Sequence, residues 1–322
     1  MAIQVDSLSK AFGDVQAVAD VSFKVQEGEL FGLLGPNGAG KTTTINMLTG
    51  LARPDNGAIT IGGIDCTENV KAAQHLVGVV PDESNLYPEL TGTQNLTFCA
   101  ALYGITKGER EKRARHLIEQ FGLTDAADRK FAGYSKGMKR KLTIAAGIIH
   151  RPPILFLDEP TTGIDVASAR QIRQLIASLN ENGTTILLTT HYIEEAERLC
   201  GRIAFIVQGR IVRIDRVSDL LQPLQQKNVA VIDLSEESKV DAGSLASTFP
   251  EARFDAPRPG TIRVESDTRL AVGPIVRFLE EAGIEVAEAR RVRPSLEEVF
   301  VKITGIEADA MRREKQKGGR GS

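Results

Sequence analysis

The residues best placed to do chemistry together form one run, Gly35-Pro36-Asn37-Gly38-Ala39-Gly40-Lys41-Thr42-Thr43. They have the spacing G-x-x-x-x-G-K-[ST], after the apolar run Leu30-Phe31-Gly32-Leu33-Leu34 and before a helical pattern through Ile45, Met47 and Leu48. That is a phosphate loop in its required setting of strand, tight turn and helix. The glycines let successive backbone N–H groups turn inward where a side chain would block a phosphate, and the new helix points its positive dipole end at the same place. Lys41 supplies a full charge for the outer phosphates of a polyphosphate, and the Thr42 hydroxyl can sit on a bound Mg²⁺. A glycine-rich turn that merely caps a helix would need neither this glycine spacing nor Lys41.

Other chemistry-bearing residues come later. Ile154-Leu155-Phe156-Leu157 reads as a central parallel strand covered on both faces, and it delivers Asp158-Glu159 at its carboxyl end. That edge is where an α/β sheet places its chemistry, so beside a phosphate loop the pair reads as functional rather than as a polar strand end. A further apolar strand at 186–190 ends at His191. A lone histidine there is more often a cap or a surface residue, but strands that repeatedly deliver polar groups to one edge favour a functional role. Ser135 stands as N-cap of a helix with apolar Met138, Leu142, Ala145 and Ile149, and Gly137 leaves its first turn open. An ordinary capped helix and an anion-receiving tip are equal readings. Phe12, just before Gly13, is either core or a platform for a purine base.

These residues need elements to hold them. A chain of 322 residues has room for about two domains, and 42% hydrophobic with 25% charged residues is ordinary for a soluble globular protein. No stretch approaches the roughly 18 apolar residues needed to span a bilayer, and the N-terminus lacks the apolar core of a secretion signal. A formal net charge of −2 gives no bulk attraction to nucleic acid or anionic lipid, so no nucleic-acid partner is expected. Cys66, Cys99 and Cys200 are odd in number and scattered, which suggests neither a disulfide framework nor a metal knuckle. A cytosolic protein is expected, one needing a separate partner if it works at a membrane.

Alternating Ile3, Val5, Val18, Val21, Phe23 and Val25, broken by Gly13-Asp14 and Glu27-Gly28, predict an antiparallel sheet leading into the strand before the loop. Further strands are expected at 58–61 and 76–80, then a mainly helical stretch at about 93–150, in which the charge-crowded 107–116 reads as a solvated face. An amphipathic helix carrying Ile172, Leu175, Ile176 and Leu179, a short helix at 193–199 and a hairpin at 203–214 come next. Beyond Arg216 the composition shifts: a short helical turn through Leu220 and Leu221 should be interrupted by Pro223. Strands at 229–234, 252–254, 261–265 and 284–290 alternate with helices at 242–248 and 270–281 in a βαββαβ order of the split βαβ kind. A closing helix starts at 294–300 with Ser295 as cap and Glu298 three residues on. The basic, glycine-rich tail from Ala310 has no apolar period and reads as disordered.

In this order the motifs resemble those of the ATP-binding subunit of ABC transporters, over about residues 2–220. Residues 35–42 look like Walker A, 134–138 like the family signature, 154–159 like Walker B with its catalytic glutamate, and 163–165 like the D-loop. His191 looks like the switch histidine and Phe12 like the adenine-stacking aromatic. The region ending at 294–300 resembles the C-terminal extension of ABC-2 type drug and antibiotic exporters. The resemblance implies an α/β P-loop NTPase of ABC type over 1–220, with a parallel core sheet, an antiparallel β subdomain and a helical subdomain at about 88–150. A small α+β ferredoxin-like accessory domain at 221–305 and a basic tail at 306–322 would complete the chain. It also implies ATP and Mg²⁺ as ligands: Phe12, Gly35 to Thr43, Ser135 and Gly137 on the nucleotide, Thr42, Asp158 and Asp82 on the metal, and Glu159 and His191 as catalytic residues. ATP would lie between Lys41 of one copy and Ser135 of a second in a homodimer, which drives an ABC-2 type membrane-spanning permease from the cytoplasmic face of the cell membrane.

Two departures stand out. Tyr134, Lys136 and Met138 replace the leucine, first glycine and glutamine of the usual signature, and Asp82 stands where a glutamine is expected, with Glu83 next. A carboxylate there could meet Mg²⁺ directly but could not donate a hydrogen bond as an amide does. These departures keep a second reading open: a nucleotide-dependent immunity or regulatory module with weak hydrolysis. A soluble ABC ATPase acting on ribosomes or DNA is disfavoured by a single cassette and the lack of sustained heptads. A phosphate-loop kinase would leave the signature stretch and Asp158-Glu159 unused.

Overall fold

The computed structural model describes residues 1–225, 228–235, 242–292 and 295–306. It divides into two compact units, one of Met1–Val217 with the described residues from Phe300 on, the other Ser218–Val299.

In the first unit β1 (Ile3–Phe12) and β2 (Val15–Val25) pair antiparallel around Gly13, and Ile3, Val5, Leu8, Val21, Phe23 and Val25 are buried from one face. This is the period-2 pattern of a half-buried sheet. The chain then enters β3 (Leu30–Leu34), buried at every residue, and passes through the phosphate loop into α1 (Lys41–Leu48). β4 (Asn56–Ile61) returns to pair with β1, and β5 (Ile64–Asp65) completes a sheet ordered β2-β1-β4-β5. α2 (Cys66–Gln74), kinked at Asn69, is not expected from the sequence: among its residues only Cys66 and Ala73 are buried, too few to show a helical period.

β6 (Val77–Val80) leads to three helices, α3 (Gly92–Leu102), α4 (Lys107–Gln120) and α5 (Lys136–Ile148). A reciprocal capping box of Thr91 and Gln94 starts α3, and α4 buries only Ala114, Leu117 and Ile118, leaving its charges in water. After them come β7 (Ile154–Asp158), α6 (Val166–Glu181), β8 (Thr185–Thr190), α7 (Ile193–Leu199) and a hairpin of β9 (Arg202–Val207) and β10 (Arg210–Arg216). The second sheet runs β10-β9-β3-β8-β7-β6, parallel from β9 to β6. Its register gathers the polar strand ends. Leu34 lies beside Thr190, and Asp158 lies beside Thr189. The phosphate loop, the Asp158-Glu159 pair and His191 therefore leave adjacent strands at one carboxyl edge.

The second unit opens with α8 (Val217–Gln225), which continues past Pro223 instead of stopping there, at the cost of the donor that residue cannot supply. Next are β11 (Asn228–Leu234), α9 (Ala242–Thr248), β12 (Ala252–Arg258), β13 (Thr261–Ser266), α10 (Val272–Glu281) and β14 (Val286–Val292). Their sheet is ordered β12-β13-β11-β14 with every pair antiparallel, the split βαβ arrangement. Ala230, Ile232, Val264, Ile275 and Leu279 form its core. The unit runs from Ser218 to Val299, beside the 221–305 expected. α11 (Leu296–Thr304) crosses the boundary, and Phe300 packs edge-on against Phe205 of β9 at 5.4 Å, so the helix end belongs to the first unit. Pro294 and residues 307–322, which include the expected tail, lie outside the described residues. Among the described residues no helix is long and apolar enough to cross a membrane.

Candidate functional site

The loop between β3 and α1 is held tightly on its outer side. A Cβ on Gly35 would overlap the Ile206 carbonyl, and one on Gly40 would overlap that of Ala17. Gly38 and Gly40 have φ of 76° and 97°, left-handed values that favour glycine, and a Cβ on Gly38 would meet nothing. Helix α1 starts at Gly40 with no side-chain cap, which leaves its first turn to receive an anion. Lys41 is buried, and its Nζ donates to the carbonyls of Gly35 (2.8 Å) and Pro36 (3.0 Å). Thr42 is exposed on the same turn.

Glu159 is 6% exposed, and its φ of 50° is a left-handed value that costs a side-chain-bearing residue about 1–3 kcal/mol. Its surroundings over-determine that shape. The Glu159 N–H donates to the Thr189 carbonyl (3.1 Å). On its carboxylate, Oε2 accepts from His191 Nδ1 (2.7 Å) and Thr162 Oγ1 (3.0 Å). Lys41 Nζ stands 3.2 Å from Oε1, close enough for charge but without hydrogen-bond alignment. Burial alone pushes the Glu159 carboxyl up, yet the His191 hydrogen bond and the Lys41 charge outweigh it and hold it below the usual carboxylate value. Glu159 is therefore ionised at neutral pH, which makes His191 Nδ1 the donor. Asp158, also buried, accepts from Thr189 Oγ1.

Thr42 and Asp158 are oxygen donors on adjoining elements, and no group of three His, Cys, Asp or Glu side chains among the described residues could cage a metal. Two such donors suit Mg²⁺, which keeps waters and shares phosphate oxygens rather than sitting in an all-protein cage.

The remaining expected residues lie elsewhere in the unit. Ser135 caps α5, its Oγ accepting from Met138 N at 3.3 Å. The first turn of α5 lies against α6, where a Cβ on Gly137 would overlap Ser168. Phe12 is 55% exposed, which removes the core reading, and Lys10 Nζ sits 5.4 Å above its ring. Asp82, expected on the metal, has a cation beside it: Oδ1 is 3.5 Å from Arg140 Nη2.

Several residues at the site escaped sequence reasoning. Thr162 and Thr189 position Glu159 and Asp158, and Thr161 Oγ1 donates to buried Glu195 at 2.7 Å. Burial pushes the Glu195 carboxyl up, the Thr190 and Thr161 hydroxyls offset this only in part, and the nearby Glu159 charge adds to it. The runs Pro160-Thr161-Thr162-Gly163 and Thr189-Thr190-His191 are the signal that could have found the threonines, since polar residues clustered at two strand ends meet at one edge.

A family profile described as ABC transporter matches residues 18–162. The chain is 38% identical over 310 residues to the linearmycin resistance ATP-binding protein LnrL of Bacillus subtilis, covering 94% of this chain and 98% of that one. It is 36% identical to the Nod factor export ATP-binding protein I of Rhizobium etli, covering 96% of this chain and 95% of that one. A solved dimeric structure of a bacterial ABC transporter cassette superposes with a TM-score of 0.62 at 28% identity, over 67% of this chain and 98% of that one.

Proposed function

The chain belongs to the ATP-binding subunits of ABC transporters, and from that premise we propose how its own residues turn ATP hydrolysis into the work of an exporter. The observation that carries the reading is the carboxylate of Glu159, gripped by Lys41 and His191 beside an uncapped helix start.

The loop amides, the start of α1 and Lys41 receive the β- and γ-phosphates, and exposed Phe12 offers its ring to the base. Thr42 and, through water, Asp158 would hold Mg²⁺, which supplies charge neutralisation on the phosphate oxygens. Glu159 accepts the proton of the attacking water, and its depressed pKa keeps it in the base form. His191 spends Nδ1 on Glu159, which leaves Nε2 as the nitrogen to meet a phosphate oxygen. Ser135 and Gly137 serve the nucleotide of a second copy, so that ATP joins two subunits and its hydrolysis lets them part.

The partner is a membrane-spanning permease of the ABC-2 type, held against the inner face of the cell membrane. An open cleft of about 650 Å³, bordered by exposed Leu51 and Leu102 with Tyr103, Val79 and Pro81, suits a short amphipathic helix from that partner. Support for a permease comes from the resistance and export roles named for the relatives.

The test is Glu159→Gln. It should bind ATP, form a dimer that persists in ATP and Mg²⁺ by size-exclusion chromatography, and lose turnover. A variant that stays monomeric with nucleotide bound would remove the two-copy part of the reading. Unchanged turnover would remove Glu159 as the base.

A further inference from the structure

Arg140 lies inside the charged run Lys139-Arg140-Lys141, which a helical wheel would put in water, yet its side chain is only 7% exposed. Burying a guanidinium is costly unless its donors and its charge are both answered. Here both are. Nη1 donates to the Pro81 carbonyl at 2.6 Å, and Nη2 donates to the Asp82 carbonyl and, at 3.4 Å, to the Glu159 carbonyl. The Asp82 carboxylate at 3.5 Å supplies the opposite charge. Three segments therefore meet on one planar group: α5, whose tip carries Ser135 and Gly137, the loop leaving β6, and the turn leaving β7.

Of these contacts, the one to Glu159 matters most for catalysis. That residue holds a left-handed backbone, with its N–H fixed by Thr189 and its carboxylate by His191 and Thr162. Its carbonyl accepts from the Thr162 N–H at 3.2 Å, closing the turn, and from Arg140 at 3.4 Å, which ties that turn to α5. Lysine carries the charge but not the planar fork that reaches several carbonyls at once. The fork also accounts for Asp82. A glutamine in that place would remove the largest of the carboxylate charges that offset the burial of this cation, ahead of Asp158, Glu195 and Glu159.

We propose that Arg140 is a positioning residue for ATP hydrolysis, clamping the Pro81, Asp82 and Glu159 carbonyls with Asp82 as its counter-charge, so that α5 and the turn bearing the catalytic carboxylate move together. The proposal rests on Glu159 being the base. Asp82 acts here through Arg140 and not as the metal ligand expected from the sequence.

The test compares Arg140→Lys, Arg140→Met, Asp82→Asn and the double variant Arg140→Met/Asp82→Asn, with Glu159→Gln alongside. For each, kcat and KM for ATP, nucleotide affinity by fluorescent-ATP titration, and the fraction of nucleotide-competent protein are measured. A catalytic group misplaced by about 1 Å loses about 10²-fold, so Arg140→Met should lose about 10-fold to 10²-fold in kcat per competent site with nucleotide affinity little changed. Arg140→Lys should recover only part of that loss. Asp82→Asn should lower kcat in the native background and add little once Arg140 is methionine. Full kcat per competent site in Arg140→Met, or additive losses in the double variant, would overturn the clamp while an inactive Glu159→Gln leaves the base assignment standing. Active Glu159→Gln would instead overturn the assignment on which the clamp rests. Should Arg140→Met not fold, Asp82→Asn decides alone: unchanged kcat in that variant overturns the proposal.

Discussion

Glu159 and Glu195 are both buried carboxyls of the first unit, 6% and 3% exposed, and adjacent threonines of one turn serve them. Thr162 donates to Glu159 and Thr161 to Glu195. Their charge states nevertheless diverge: Glu159 is held below the ordinary glutamate value and Glu195 above it. Burial pushes both up and is the largest influence on each, so the divergence lies in what opposes it. The difference is in the donors and the charge set directly on each carboxylate. Glu159 meets Lys41 from the start of α1 and His191 from the end of β8 at close range, whereas Glu195 accepts from hydroxyls and feels the Arg173 charge only as the smallest of its influences. Two carboxyls shifted in opposite directions arise side by side because the fold sets Lys41 and the His191 donor directly on one and hydroxyls on the other.

The strongest way to break this contrast is to exchange the charge at Glu159. Glu159→Gln should lower ATP turnover by about 10²–10⁴-fold, the usual contribution of a positioned base, with ATP binding retained. Steady-state phosphate release checks the first and fluorescent-ATP titration the second. If the corresponding change at Glu195 carried the loss instead, the two roles would be reversed. Next in size is Lys41→Ala, which removes a buried charge that serves both the phosphates and Glu159. Truncating a charged hydrogen-bonding partner typically costs about 1.5–3 kcal/mol, so ATP affinity should weaken by about 10-fold to 10²-fold in the same titration. An unchanged dissociation constant would show that Lys41 serves Glu159 alone.

A subtler change sharpens the comparison. His191→Ala deletes the donor that does most to hold Glu159 down. With that hydrogen bond gone the carboxylate is less stabilised, so Glu159 keeps its proton to higher pH. The acid limb of the pH–turnover profile should therefore move upward, beyond any fall in the plateau. Thr162→Val should shift the limb the same way and by less. A limb that stays in place in both variants would mean that other groups set the Glu159 titration.

How far these differences are legible in the sequence depends on the range of the signal. The phosphate loop, Asp158-Glu159 after an apolar strand, and Ser135 before a helical period are local patterns, and the structure places each on the element expected. The hairpin is local too: Gln208 and Gly209 both take positive φ, as a two-residue turn requires. Glu195 is not legible. It lies in Glu194-Glu195-Ala196-Glu197, which reads as a solvated face, and only contact with Thr161, 34 positions away, marks it as buried. Arg140 is hidden in the same way, since its acceptors at Pro81 and Asp82 lie 59 and 58 positions earlier. The ion pair of Asp82 with Arg140 is likewise not legible, because the two lie 58 positions apart. Pro223 misleads for the opposite reason, because the fold overrides a strong local breaker signal.

The smallest effect is expected at Glu195, and it tests the contrast from the other side. Glutamine keeps the carbonyl oxygen that accepts from Thr161 and replaces an acid that the fold makes harder to ionise, so turnover should stay near that of the parent. Stability should differ in its pH dependence. Because the folded Glu195 holds its proton above the pH at which the unfolded chain releases it, the folded state binds more protons through that window, and stability contributed by this residue falls as pH rises. Glu195→Gln has no such proton to lose. Its Tm relative to the parent should therefore rise with pH, starting near the ordinary glutamate value and levelling off above the folded one. A tenfold change in protonation is worth about 1.4 kcal/mol, and each kcal/mol moves Tm by about 2–4 °C in a domain of this size, so a gain of a few degrees is resolvable by calorimetry. At the acid end the variant has no advantage, since the amide NH₂ takes the place of Oε2, an atom with no aligned partner. A Tm difference that is flat from pH 4 to 8 (about the range over which a carboxyl raised by burial titrates) would mean that Glu195 is ionised in the fold. The hydroxyls and the Arg173 charge would then be enough to keep a buried carboxylate charged here, and the distinction drawn between the two glutamates would fail.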